Sequence, residues 1–317
     1  MEKISNKRIE WIDICKGLGI FLVVIGHTGI SKASPIAYDW IYSFHMPFFY
    51  MLSGVVLNEQ KYDTFEKFIK RRLKTLVIPF FILNTILFCI AKALDLNNVQ
   101  PPLSELFTGV LAMYFLRVLF ISEIFYFCIN RISTKLYRKI IAIIILIYLN
   151  LYIQGHYDTG YAHYIMPGMP LLYYGIGNIF KTYIKQYAEI LDTHNLVIII
   201  CISLIFSLSI IISHIKFLFI DIILAISGIF TLLSIGILCS KMTYKSIKEM
   251  INYIGKNTLV IVAFHQIIYN GLTLITNHIQ LSAITDSGVR MLSVWILLFL
   301  ICKFFNRYIP LAIGKSK

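Results

Sequence analysis

RIEWIDICKGLGIFLVVIGH, residues 8–27, holds an apolar run of bilayer-crossing length that only Asp13 and Lys16 interrupt and that His27 closes. A spanning helix needs about 17 to 25 mostly apolar residues. The same pattern recurs along the chain, near 13–30, 38–57, 75–94, 105–129, 140–154, 164–180, 195–213, 217–239, 254–275 and 288–305. Ten spans are therefore expected, the fifth and sixth short or interrupted, with Pro167 and Pro170 breaking the sixth. The N-terminal segment has no small-residue cleavage site after its first apolar run, so that run is expected to be retained as a helix.

The whole composition agrees. Among 317 residues, 58% are hydrophobic and only 14% charged, and the mean hydropathy is +0.76. A soluble fold of this size needs more polar residues to cover its surface, whereas lipid accepts apolar side chains all round a bundle. The expected fold class is all-α: a polytopic transmembrane bundle of about ten helices, one domain over 1–317, multi-pass in the inner (cytoplasmic) membrane. The net charge of +13 does not imply nucleic acid, because the cations lie in short runs between apolar stretches and form no basic stripe. The six cysteines stand singly in or beside apolar segments, so neither disulfide nor metal is expected. No HExxH, GxSxG or Gly-rich phosphate loop occurs.

Basic residues orient the bundle, since cytoplasmic loops carry excess Lys and Arg. With the N-terminus inside, 22 Lys and Arg fall in cytoplasmic segments and four (Lys32, Lys92, Lys216, Arg290) in outer ones. Such alternation needs an even number of spans, with both ends in the cytoplasm. No inverted repeat, the mark of many transporters, is visible.

The remaining ionisable residues within spans are Asp13, Lys16, His27, His45, Arg117, Glu123, Asp221, Lys256 and His265. Each is costly in hydrocarbon and points to a functional interior. Bland readings stand beside that. Asp13, Lys16 and Lys256 sit near cytoplasmic ends, where snorkelling or an ion pair accounts for them. Asp221 suits the outer interface, and Arg117 and Glu123 suit pairing inside the bundle. A single buried His is ordinarily a satisfied core residue, but three converging are not. Eleven residues make three helical turns plus about 20°, so Lys16 and His27 would share a helix face about 16 Å apart.

At these residues a family resemblance appears. RIEWIDICKGLGIFLVVIGH followed by SFHMPFFYMLSGVVL closely resembles the opening of the acyltransferase 3 family of bacterial membrane O-acyltransferases, especially the branch similar to fucose 4-O-acetylase. The family's basic residue, ten residues and His fall on Lys16 and His27; its FHMPLFFFLSG-like segment matches Phe44 to Phe49, Ser53 and Gly54. RRLKTLVIP resembles its basic stretch, although Arg-x-x-Arg is matched only by Arg71 with Lys74 or Arg72 with Thr75. MYFLRVLFISEI resembles its WFL segment with Tyr114 in place of Trp, and IGKNTLVIVAFHQII its late helix with His265.

The resemblance implies transfer of an acetyl or other acyl group from acetyl-CoA to a saccharide hydroxyl in a surface polysaccharide or lipid-linked precursor. Acetyl-CoA would be the donor, with no permanently bound cofactor. Membrane lipids and polysaccharide-assembly proteins are the other expected partners. An imidazole is the side chain best poised to take a hydroxyl proton near neutral pH. His27 is the expected base, or else the residue that carries the acyl group. Lys16, Arg71, Arg72 and Lys74 would bind the donor's phosphates, the alternative for that cluster being orientation alone. His45 and His265 would polarise the thioester or position the acceptor, and Arg117 and Glu123 are the further substrate-binding candidates. The Tyr- and His-rich stretch 150–170, with Asp158, suits sugar stacking, though interfacial aromatic belts have the same composition. A transporter or flippase for a saccharide, and a scaffold subunit without chemistry, are the competing classes.

Overall fold

A span without water must satisfy its backbone internally, and helices do this within one segment. The computed structural model describes residues 9–94, 102–132, 135–156, 168–215, 217, 219–276 and 283–315. It is 88% helical, with no strand among the described residues. The helices are α1 (Glu10–Gly26), α2 (Ile30–Ala33), α3 (Pro35–Val56), α4 (Phe65–Arg72), α5 (Ile78–Ala93), α6 (Glu105–Thr108), α7 (Tyr114–Ile132) and α8 (Leu136–His156). They continue as α9 (Gly168–Ile179), α10 (Lys181–Ile190), α11 (Thr193–Ser213), α12 (Ile220–Lys241), α13 (Lys245–Lys256), α14 (Thr258–Thr276) and α15 (Ala283–Tyr308).

A helix overlies each of the ten expected stretches. Among the described residues, however, six helical segments are long and apolar enough to cross a bilayer: Phe65–Ala93, Leu111–Ile132, Thr193–Ser213, Ile220–Lys241, Thr258–Ile275 and Gly288–Tyr308. These coincide with the third, fourth and seventh to tenth expected spans. Of the expected sixth span the described residues hold α9, whose 12 residues cover about 18 Å. The basic stretch before the third expected span is not a loop. Helix starts at Phe65, where Thr64 accepts from Lys67 N as N-cap, and runs through a π-helical turn, Leu73–Val77, into α5. Pro79, without an N–H, closely follows the π-helical turn, where it cannot supply the regular helical bond to the preceding turn.

The chain forms two compact units, each drawn from separated stretches. The first lies within Met1–Gly26, Ile30–Phe49 and Lys185–Thr258. Here α1 packs on α12 and α13 through small residues. The α13 backbone comes so near α1 that a Cβ on Gly255 would strike the Asp13 carbonyl. Small residues allow such approaches where lipid supplies no hydrophobic drive between helices. Hydroxyls bind α11 to α12: Ser203 Oγ and Thr231 Oγ1 are 2.7 Å apart, and Ser227 Oγ donates to the Ser203 carbonyl at 2.8 Å. Trp40 Nε1 of α3 donates to Ser207 Oγ of α11 at 3.0 Å.

The second unit lies within His27–Gly29, Tyr50–Ile184 and Leu259–Lys317. Its α9 packs on α7 and α8. The last turns of α3 meet α9 at Gly54, where a Cβ would strike the Tyr174 carbonyl. That approach lets Asn178 Nδ2 donate to the carbonyls of Gly54 (3.1 Å) and Leu57 (3.3 Å) at the end of α3. Asn84, fully buried in α5, secures α6 and the segment just after it. It donates to the carbonyls of Glu105 and Leu106 at 2.8 and 3.0 Å and accepts from Val110 N at 2.7 Å.

Overpacking a tight contact costs about 1–3 kcal/mol. Gly255→Ala is therefore expected to lower the thermal midpoint of the detergent-purified protein. Gly271→Ala, where a Cβ meets nothing within 4 Å, is expected to leave it unchanged or raise it, Ala being the better helix former by about 1 kcal/mol.

Candidate active site

Helix α1 ends at Gly26, and His27 is the first residue of the turn that follows. Gly29 has φ of +85°, a left-handed conformation that glycine adopts without steric cost, and the chain turns there into α2. Thr28, in the same turn, is buried.

The turn brings together residues from opposite ends of the chain. The rings of His27 and His265 lie 5.0 Å apart, edge to face at 78°. His265 is only 1% exposed. Its Nδ1 lies 2.8 Å from the Ile261 carbonyl and 3.0 Å from that of Val262. A carbonyl only accepts, so Nδ1 carries the proton and the basic lone pair of the neutral ring is on Nε2. His45 is held in the same way, Nδ1 being 3.0 Å from the Ile41 carbonyl with the Tyr42 ring 4.8 Å away. His45 belongs to the first unit, whereas His27 and His265 belong to the second. The structure thus pairs two of the three expected histidines.

A second cluster surrounds Glu123, 3% exposed on α7. Arg72 Nε approaches Glu123 Oε2 to 2.7 Å, an ion pair in contact but angled off the line of a hydrogen bond. Tyr174 Oη donates to Glu123 Oε1 at 3.4 Å. The Arg72 guanidinium also lies 5.4 Å from the Phe68 ring centre. Arg72 is therefore turned inward, just before the π-helical turn, while Arg71 and Lys74 are exposed. Its charge is matched by Glu123, which sets it apart from these exposed neighbours.

The remaining cations of the stretch sort themselves similarly. Lys67 pairs with Asp63 at 2.6 Å and Lys70 with Glu66 at 2.5 Å. Lys67 holds the exposed Asp63 carboxyl below its ordinary range, chiefly through that hydrogen bond. Among the described residues no carboxylate lies within ion-pair distance of Arg71 or Lys74.

The other expected residues are spread over both units. Lys16 is half-buried on α1 of the first unit, as is Arg117 on α7 of the second. Glu123, six residues beyond Arg117, pairs instead with Arg72. Asp13 is buried, while Lys256 and Asp221 are exposed, as snorkelling or interfacial residues would be. Asp158 and its neighbours in 157–167 lie outside the described residues. Tyr174, Asn178 and Asn84 escaped the sequence reading. They carry no charge, and a search of the spans for ionisable groups passes over them. Charge-neutral polar residues within apolar runs were the available signal.

An acyltransferase domain model matches the chain over residues 9–305. No curated protein and no solved structure matches it.

Removing one partner of a buried ion pair leaves an uncompensated charge, at a cost of about 3–5 kcal/mol. Glu123→Leu alone and Arg72→Leu alone are expected to lower the thermal midpoint sharply. The double variant should recover a large part of the loss, and unfolding curves of the three proteins measure the coupling.

Proposed function

The chain belongs to the acyltransferase 3 family, and from that premise we propose that it moves an acetyl group from acetyl-CoA to a hydroxyl of a saccharide, at the His27–His265 pair. The observation that carries this reading is the 5.0 Å approach of those two rings. A hydroxyl is a poor nucleophile, and general-base catalysis by a placed imidazole contributes about 10²- to 10⁴-fold. His27 takes the hydroxyl proton as the oxygen attacks the thioester carbon. The C–O bond forms, the C–S bond breaks, and the proton passes from the imidazolium to the departing CoA thiolate. His265, with Nδ1 committed to its own helix, orients the His27 ring.

The donor enters from the cytoplasm, where the excess of Lys and Arg places both chain ends. Arg71 and Lys74 contact the donor's phosphates, being exposed and without a carboxylate neighbour among the described residues. Roles for Lys16 and His45 rest on the motif they complete, and those for Arg117 and Glu123 on their place inside a span. The acceptor is part of a surface polysaccharide or its lipid-linked precursor, and the protein sits in the cytoplasmic membrane.

Purified protein in nanodiscs, given radiolabelled acetyl-CoA with lipid-linked glycans, is expected to label the glycan. His27→Ala should lower turnover by at least about 10²-fold with expression and membrane insertion unchanged, and Arg71→Ala with Lys74→Ala should raise the KM for acetyl-CoA more than it lowers kcat. Full turnover by the His27→Ala protein would remove that residue from the mechanism. Donor-independent movement of a glycan across the bilayer would favour a flippase.

A further inference from the structure

The last turn of α7 carries Asn130 and Arg131, and the one-turn helix Glu59–Lys61 follows α3. Between them lies a cavity of about 310 Å³, lined by Glu59, Tyr62, Asp63, Phe127, Asn130 and Arg131, all of the second unit. Small-ligand pockets begin at about 300 Å³.

Several of these side chains are committed and fix the walls. Phe127 stacks on Phe68, ring centres 4.2 Å apart, and the Arg131 guanidinium lies 5.2 Å from the Phe127 ring centre. Arg131 Nη2 also donates to the carbonyls of Tyr62 and Asp63, both at 2.7 Å. A planar cation held in this way offers a surface on which a flat ring can stack. The Asp63 carboxylate has Lys67 as its partner at 2.6 Å.

Two groups are not committed. The amide nitrogen and oxygen of Asn130 are both buried without a formed hydrogen bond, because the Tyr126 hydroxyl beside them donates to Asn178 Oδ1 at 3.1 Å. Glu59 has no cation within ion-pair distance among the described residues. A buried amide without partners is costly, and calls for one from outside the fold.

The charges disfavour simple ions: two carboxylates repel an anion, and the guanidinium repels a metal or an ammonium. A neutral planar group with a donor beside an acceptor fits all three side chains. Adenine has that edge, its N6 amino group next to N7, and pairs bidentately with a carboxamide, whereas guanine presents two acceptors there. Arg71, exposed on α4, stands seven residues beyond the Thr64 cap that follows Asp63, about 10 Å along the axis.

Resting on the proposed function, in which a coenzyme A thioester is the donor, we infer that this cavity takes the donor's adenine. Asn130 bonds the N6–N7 edge, Arg131 stacks on the ring, and Glu59 accepts from the second N6 hydrogen. The phosphates extend along α4 toward Arg71 and Lys74.

Titration of the full chain in phosphatidylcholine nanodiscs with adenosine 3′,5′-bisphosphate and guanosine 3′,5′-bisphosphate tests this, since the two probes differ in the base alone. The adenine probe is expected to bind about tenfold or more tightly, a difference of about 1.4 kcal/mol. Asn130→Ala, and Asn130→Asp, which keeps the size and loses the donor, should bring that ratio close to one. Arg71→Ala with Lys74→Ala should weaken both probes and preserve the ratio. The inference is overturned if the two bases bind alike, as they would were the cavity to hold only water, if guanine binds more tightly, or if the ratio survives in both Asn130 variants. Adenine preference through Asn130 without any acetyl transfer would sink the acetyltransferase reading alone. Transfer from acetyl-CoA with the two bases bound alike would sink the adenine site alone.

Discussion

Removing an ionised group from water costs several kcal/mol unless another charge or hydrogen bonds replace the solvent, and that cost shapes both units of this protein. Glu123 lies in the apolar interior because Arg72 and Tyr174 face it. Arg72 turns in where the helix passes from α4 into a π-helical turn, a distortion that commonly accompanies functional sites. The neighbouring Arg71 and Lys74 stay at the surface.

The same economy governs the histidines. An imidazole in hydrocarbon must place two nitrogens, and both His45 and His265 satisfy Nδ1 by donating to a carbonyl one turn back in their own helix. The arrangement needs no other residue, holds the ring in one tautomer and directs Nε2 away from the helix backbone. For His265 it leaves the ring edge to face against His27. His27 itself is held in a turn, which suits a group that must meet a ligand, since helix ends and turns carry backbone donors and acceptors that a mid-helix position lacks.

Uncharged polar residues hold the framework around these groups. Asn178 gathers the end of α3 and the Tyr126 hydroxyl into one set of hydrogen bonds, and Asn84 does the same for the segment after α6. Serine and threonine pairs tie α11 to α12. Each such bond contributes about 0.6 kcal/mol in membrane helices. The value of these contacts lies in fixing which helices meet as much as in their strength.

The helical character of the chain, its immersion in lipid and the spacing of Lys16 and His27 were all legible in residue order, because hydropathy and helical period are local properties. Family membership followed from the same local motifs and extends over residues 9–305. Tertiary structure decided the rest. Which His meets His27, which of three adjacent cations turns inward, and that Arg131 donates to the carbonyls of Tyr62 and Asp63 depend on neighbours far away in sequence. Local periodicity also gave no warning that α1 would end at Gly26. The physical reason is that burial and pairing are settled between helices, and no single segment contains the partner that makes a charge affordable.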